Sequence, residues 1–194
     1  MKKDIILSGV GGQGIVSVAT IIGTAALKLG LNLKQSEVHG MSQRGGDVMS
    51  NLRISDKEIH SDLIPEGKAD IIISVEPLEA LRHLPMLAEG GWMITNTNPF
   101  DNIAKYPNID EILAEIEKVP NHIAIDADKI AKDLNAKKSS NIVILGAACP
   151  FLDIEPTVIE NAIRTLFGKK GEAVVNQNLD ALKEGRAFAE HSCE

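Results

Sequence analysis

Aromatic side chains are nearly absent from this chain. Four Phe, one Trp and one Tyr make up 3% of its 194 residues. Ile, Leu, Val and Ala must therefore fill any core, and modules that stack bases on aromatic platforms are disfavoured. Cysteine is equally scarce: Cys149 and Cys193 are the two present, and they form no CxxC. A four-thiolate zinc site or an iron–sulfur cluster cannot be built from them within this chain. A disulfide framework is not expected either, which points to a reducing cytoplasm. Basic residues do not dominate. Twenty Lys and Arg face 27 Asp and Glu, for a net charge of −7, and no basic run stands out, so no nucleic-acid partner is expected. No apolar run reaches the roughly 18 residues of a membrane span, so no membrane association is expected. Lys2-Lys3 followed by Ile5-Ile6-Leu7 has the outline of a signal peptide, but Asp4 interrupts the basic part. Gly9, Gly11, Gly12, Gln13 and Gly14 then break the apolar part, and the segment reads as a strand and a loop.

What is present is ordinary globular material, 44% hydrophobic and 24% charged. The pattern predicts a strand over Asp4–Ser8 and a glycine loop over Gly9–Gly14. A helix follows over Ile15–Leu29 with apolar residues near 3.6 spacing, and Gly30 is its C-cap. A second strand over Leu31–Val38, a polar Gly-rich loop over His39–Asp47 and a third strand over Val48–Ile54 come next. Ala69–Val75, Gly91–Thr97 and His122–Asp126 read as strands. Pro77–Leu87 (cut short at Pro85), Asp110–Val119, Asp128–Leu134, Thr157–Phe167 and Glu172–Glu190 read as helices. Ile142–Ala148 is apolar throughout and fits a strand or a buried helix.

Alternating strands and helices imply an α/β, Rossmann-like, mostly parallel sheet. The His39–Asp47 connection is too short for a parallel crossover, so the strands that flank it should pair as a hairpin excursion. One domain over 1–194 is expected, with the α/β core over about 1–135 and a helical C-terminal region over about 136–194.

Two loops carry the candidate chemistry. Gly9-Val10-Gly11-Gly12-Gln13-Gly14 matches GxGxxG between a strand and a helix. Glycine admits a sharp turn and a close approach to backbone amides, and the helix N-terminus favours an anion. The amides of Gly11, Gly12, Gln13 and Gly14 are the candidate anion contacts. A tight turn without ligand is the plainer alternative. A dinucleotide reading needs an acidic residue about 20 positions on, and Glu37 lies 23 after Gly14, so an NAD(P)- or FAD-binding oxidoreductase stays open. The second loop gathers Glu37, His39, Ser42, Gln43 and Arg44 among three glycines. It should lie beside the first, at the carboxyl end of the sheet. Arg44 can clamp a phosphate or carboxylate with two parallel hydrogen bonds, with Ser42 and Gln43 as secondary groups. His39 is a weak candidate for proton transfer, and a solvated hairpin tip is the plainer alternative. No HExxH or EF-hand pattern occurs and no metal site is expected. His60, His83, His122 and His191 read as surface or capping residues, Asp128 as a helix cap, and Cys149 as a buried inert thiol. Thr97, Asn98 and Pro99 are candidates to line the crevice.

Taken together, the glycine loop and Glu37-Val38-His39-Gly40-Met41-Ser42-Gln43-Arg44-Gly45-Gly46 resemble the gamma domain of 2-oxoacid:ferredoxin oxidoreductases. The His-Gly-Met-Ser-Gln-Arg-Gly-Gly form is most similar to the beta subunits of the indolepyruvate branch. Asp126-Ala127-Asp128, Asn141–Ala148 and Asn178–Phe188 fit as well, so the likeness spans nearly the whole chain. The resemblance implies CoA-dependent oxidative decarboxylation of a 2-oxoacid, with electrons passed to ferredoxin. It also implies that thiamine diphosphate, Mg²⁺ and iron–sulfur clusters sit on a large partner subunit. This chain would complete the complex, with CoA possible at the glycine loop, and would be inactive alone.

Overall fold

The computed structural model describes residues 1–40, 45–100 and 105–193. Ser42, Gln43 and Arg44 lie outside the described residues. Six strands, β1 (Lys2–Val10), β2 (Asn32–His39), β3 (Asp47–Ser55), β4 (Ala69–Ser74), β5 (Leu87–Asn96) and β6 (His122–Ile125), form one sheet. Its order is β2-β3-β1-β4-β5-β6. β1, β4, β5 and β6 run parallel, and β3 runs antiparallel to both β1 and β2. The expected hairpin is there: Glu37 faces Ser50 and His39 faces Val48. β3 is inserted between β2 and β1, which an ordinary dinucleotide-binding half lacks.

The central strands read as unbroken apolar runs because both faces are covered. Ile5, Leu7, Ile71, Ile73 and Ile94 point to one side, where they pack with α1 (Ile15–Lys28), α4 (Ala127–Asp133), α5 (Ser140–Ala148), α6 (Pro156–Phe167) and α7 (Glu172–Ser192). Ile6, Ile72 and Met93 point to the other, under α2 (Pro77–Arg82) and α3 (Ile109–Ile116). The ambiguous Ile142–Ala148 segment is helical. It is buried on every side, against α1 and the sheet on one flank and α7 on the other. A helix in that position shows no polar stripe and hence no period to read.

α1 closes at the expected glycine, but one residue earlier than expected: the helix ends at Lys28, and Leu29, not Gly30, is its C-cap. Leu31 N–H reaches Ala26 C=O and Gly30 N–H reaches Leu27 C=O, with Gly30 at φ 71°, a Schellman closure in which Leu29 is the cap and Gly30 the left-handed residue after it. Pro85 does cut α2 short, and a 3₁₀ turn, Leu84–Met86, follows. A second capping assignment is corrected at α4. Asp126, not Asp128, caps α4, accepting from Lys129 N–H at 2.9 Å. Asp128 sits inside the first turn and accepts from Asn96 Nδ2 at 3.0 Å.

Candidate functional site

The strand β1 must turn at once into α1, and Gly14 makes that turn possible. It is the N-cap, at φ 82° and ψ 28°. A Cβ there would lie 2.5 Å from Asn141 Nδ2, the group that donates to Gly14 C=O at 3.0 Å. Gln13 braces the loop from within: its Oε1 accepts from Val10 N–H at 2.8 Å and its Nε2 donates to Val75 C=O at 3.4 Å. Of the four candidate amides, Gly11 N–H donates to Gly46 C=O and Gln13 N–H to Val10 C=O. Among the described residues, the Gly12 and Gly14 amides have no such partner, and with the first amides of α1 they form the open end of the helix.

The described ends of the second loop come to the same end of the sheet. Gly45 N–H donates to Gly11 C=O at 3.2 Å, and Gly11 N–H to Gly46 C=O at 2.8 Å, so the two loops are stitched along their backbones. His39, at the end of β2, is exposed, and its Nε2 lies 2.7 Å from Glu37 Oε1. Glu37 therefore stands on the outer strand, two strand spacings or roughly 9–10 Å from β1, with its carboxylate engaged by His39. It is not where a ribose-binding carboxylate belongs.

Two clefts open at the carboxyl ends of the parallel strands. The smaller, about 190 Å³, is lined by Gln13, Val75, Asn96, Asn98, Pro99 and Asp128 among others. Asn98 and Pro99 thus line the crevice as expected; Thr97 is not among the lining residues. Asn98 Nδ2 donates to Asp126 Oδ1 at 2.6 Å, and Asn96 bridges Asp128 and Ala127 N–H. The larger cleft, about 640 Å³, runs from Gly12, Gln13, Gly14 and Ser17 to Lys137, Lys138, Ser139, Asn141, Phe167 and Lys170. The three lysines are exposed, and Lys170 Nζ stands 5.2 Å from the centre of the Phe167 ring. A cleft lined by an open helix N-terminus and three lysines suits a ligand with several phosphate charges. Sequence reasoning missed these lysines. The Lys137-Lys138 and Lys169-Lys170 pairs were a signal, but only the fold brings them to the glycine loop.

The cysteines do not fit a cluster. Burial pushes the Cys149 thiol up to about 12, leaving it protonated and inert, and Cys193 is exposed. No helix among the described residues is long and apolar enough to cross a membrane.

Residues 4–188 match the sequence profile of the pyruvate ferredoxin/flavodoxin oxidoreductase family. The chain belongs to this family. Within it, the chain is 39% identical to the indolepyruvate oxidoreductase subunit IorB of Archaeoglobus fulgidus, over 95% of this chain and 94% of that one. It is 37% identical to the subunit of the same name from Methanothermobacter thermautotrophicus, over 99% and 100%. Pyruvate/ketoisovalerate oxidoreductase common subunit gamma of Thermococcus kodakarensis is more distant, at 30% identity over 87% of this chain and 89% of that one. The fold recurs in pyruvate oxidoreductase subunit PORC of Thermotoga maritima (TM-score 0.74, 21% identity, 96% of each chain). It also recurs in a 2-oxoglutarate:ferredoxin oxidoreductase of Magnetococcus marinus solved with 2-oxoglutarate, coenzyme A and succinyl-CoA (TM-score 0.77, 23% identity). This chain aligns over 98% of its own length with that protein but spans 31% of the larger chain. No comparison favours a free-standing dinucleotide-dependent enzyme.

Proposed function

We propose that this family member is the non-cluster, gamma-type subunit of a hetero-oligomeric indolepyruvate-type ferredoxin oxidoreductase. It supports CoA-dependent oxidative decarboxylation of an aryl 2-oxoacid. The observation that carries the reading is the end-to-end correspondence with the IorB subunits, 95% of this chain against 94% of the relative's. The chain acts as one gamma-type unit. Thiamine diphosphate, Mg²⁺ and the clusters belong to the large partner subunit, and electrons leave to ferredoxin. This chain's share is to hold the phosphate-bearing part of CoA. The larger cleft supports that role: the Gly12 and Gly14 amides, the first turn of α1, and Lys137, Lys138 and Lys170 surround it. Phe167 offers an apolar face beside them. Arg44, outside the described residues, is assigned as the side-chain clamp, with Ser42 and Gln43 as secondary hydrogen-bonding groups. A cytoplasmic setting is part of the same reading, and the two free thiols support it.

The test is reconstitution. The chain alone, supplied with indolepyruvate, CoA, thiamine diphosphate, Mg²⁺ and an electron acceptor, should be colourless and silent. Co-expressed with the large subunit it should give CoA-dependent turnover. In that complex Arg44→Ala should weaken apparent CoA affinity about 10- to 150-fold, the loss expected for a charge-assisted contact, with Arg44→Lys recovering part of it. Turnover by the lone chain, or a complex as active without it as with it, refutes the reading.

A further inference from the structure

Asp47 is the first residue of β3 and pairs with Val10, the last residue before the glycine loop turns. On the facing helix, Glu79 and His83 are four residues apart, which brings them to one side of α2 and its cap. The fold unites the three. One carboxylate oxygen each from Asp47 and Glu79, and one ring nitrogen of His83, all lie within 4.8 Å of one another. His83 Nε2 is 3.4 Å from Asp47 Oδ1. A charge-assisted hydrogen bond would close to about 2.7–2.9 Å. Two donors bound at about 2.1 Å to one tetrahedral ion stand about 3.4 Å apart.

Charge balance points the same way, independently of the distance. Glu79 is 8% exposed. Three carboxylates, Asp47, Glu76 and Glu79, act on the single guanidinium of Arg82, and Glu76 also accepts from the Tyr106 hydroxyl. The cluster thus gathers more carboxylates than one guanidinium balances, and a bound cation would offset that excess.

We propose that Asp47, Glu79 and His83 bind a late first-row divalent cation of the Zn²⁺ class, solvent completing its shell. One nitrogen and two oxygen donors suit zinc or cobalt better than Mg²⁺ or Ca²⁺, which prefer oxygen alone. Asp47 is 40% exposed and gives the ion a way in. The ion clamps the start of β3, and with it the base of the second loop, to α2. The proposal does not depend on the assignment of CoA to the larger cleft.

Co²⁺ tests it, because tetrahedral cobalt absorbs in the visible. The full chain titrated with Co²⁺ at pH 8 should develop those bands at one equivalent, and Zn²⁺ should remove them. Zn²⁺ but not Mg²⁺ should raise Tm. His83→Gln and Asp47→Asn should each weaken binding at least about 10- to 100-fold, a loss in the range that even indirect changes around a metal produce. Circular dichroism checks that the variants fold; should His83→Gln fail, the half-exposed Asp47→Asn decides. Absence of both the bands and the Zn²⁺ Tm shift at about 100 µM metal, where a site of useful affinity is filled, overturns the proposal. So does undiminished binding in a folded variant.

Discussion

Asp4 shows how much one side chain can carry. It is 1% exposed, yet charged. Burial works to raise its carboxyl, but hydrogen bonds and charge from Arg53 and Lys2 outweigh that and hold it below its ordinary 3.8. Arg53 stands opposite it on β3 and grips both oxygens, Nε at 2.7 Å and Nη2 at 3.0 Å. Its remaining nitrogen donates to Ser61 and Leu63 C=O, pinning the loop after β3. Arg53→Met, which keeps the stem and removes the fork, should cost about 3 kcal/mol in urea unfolding, the low end for stranding a buried charge because Lys2 remains. The sign of the pH effect follows from the lowered pKa. The pair's stabilisation is complete above 3.8 and is lost as pH falls through the lower folded value. Acid unfolding below pH 4 should therefore be steeper in the native chain than in Arg53→Met. An equal slope in both would mean that Asp4 is not the group being titrated.

At the scale of elements, α5 and α7 meet through two glycines that need no unusual backbone angle. A Cβ on Gly185 would lie 1.9 Å from Val143 C=O, and one on Gly146 would lie 2.1 Å from Leu182 C=O. Both obstacles are backbone, so no rotamer change relieves them and the helices must part. Gly185→Ala or Gly146→Ala should each cost about 3 kcal/mol, the upper end of ordinary overpacking, or about 6–12 °C in Tm. Gly168→Ala, where a Cβ meets nothing within 4 Å, should be neutral. Equal melting of all three variants would mean that the two helices do not cross this closely. Such contacts mark where the sequence stops being legible. The glycine loop, the hairpin and most helices were readable because turn chemistry and periodicity act over a few residues. α5 was not, since burial on all sides leaves no period. Nor were the three cleft lysines or the Asp47, Glu79 and His83 group, because each joins residues far apart in the chain through tertiary packing. Asp126 and Asp128 were separable only once α4's first turn was seen.

On the scale of the whole molecule, the order of the sheet supports the proposed ligand class over a dinucleotide. With β3 interposed, Glu37 is one strand too far from β1 for a ribose contact, while the lysine-flanked cleft lies directly at the glycine loop. Thermal melting should report this. NAD, NADP and FAD should leave Tm unchanged, whereas CoA at about 100 times its Kd should add about 2.7 kcal/mol of stability. A shift with NAD that Glu37→Ala abolishes would reverse the assignment. The backbone stitches between Gly11 and Gly45–Gly46 carry one more consequence. The two loops share hydrogen bonds, so neither can be rearranged without altering the other. A ligand that favours one arrangement of the glycine loop, and a subunit that favours one arrangement of the hairpin tip, then act on a common equilibrium. By thermodynamic reciprocity, whatever factor subunit assembly adds to the affinity for CoA, CoA must return in equal measure to the strength of assembly.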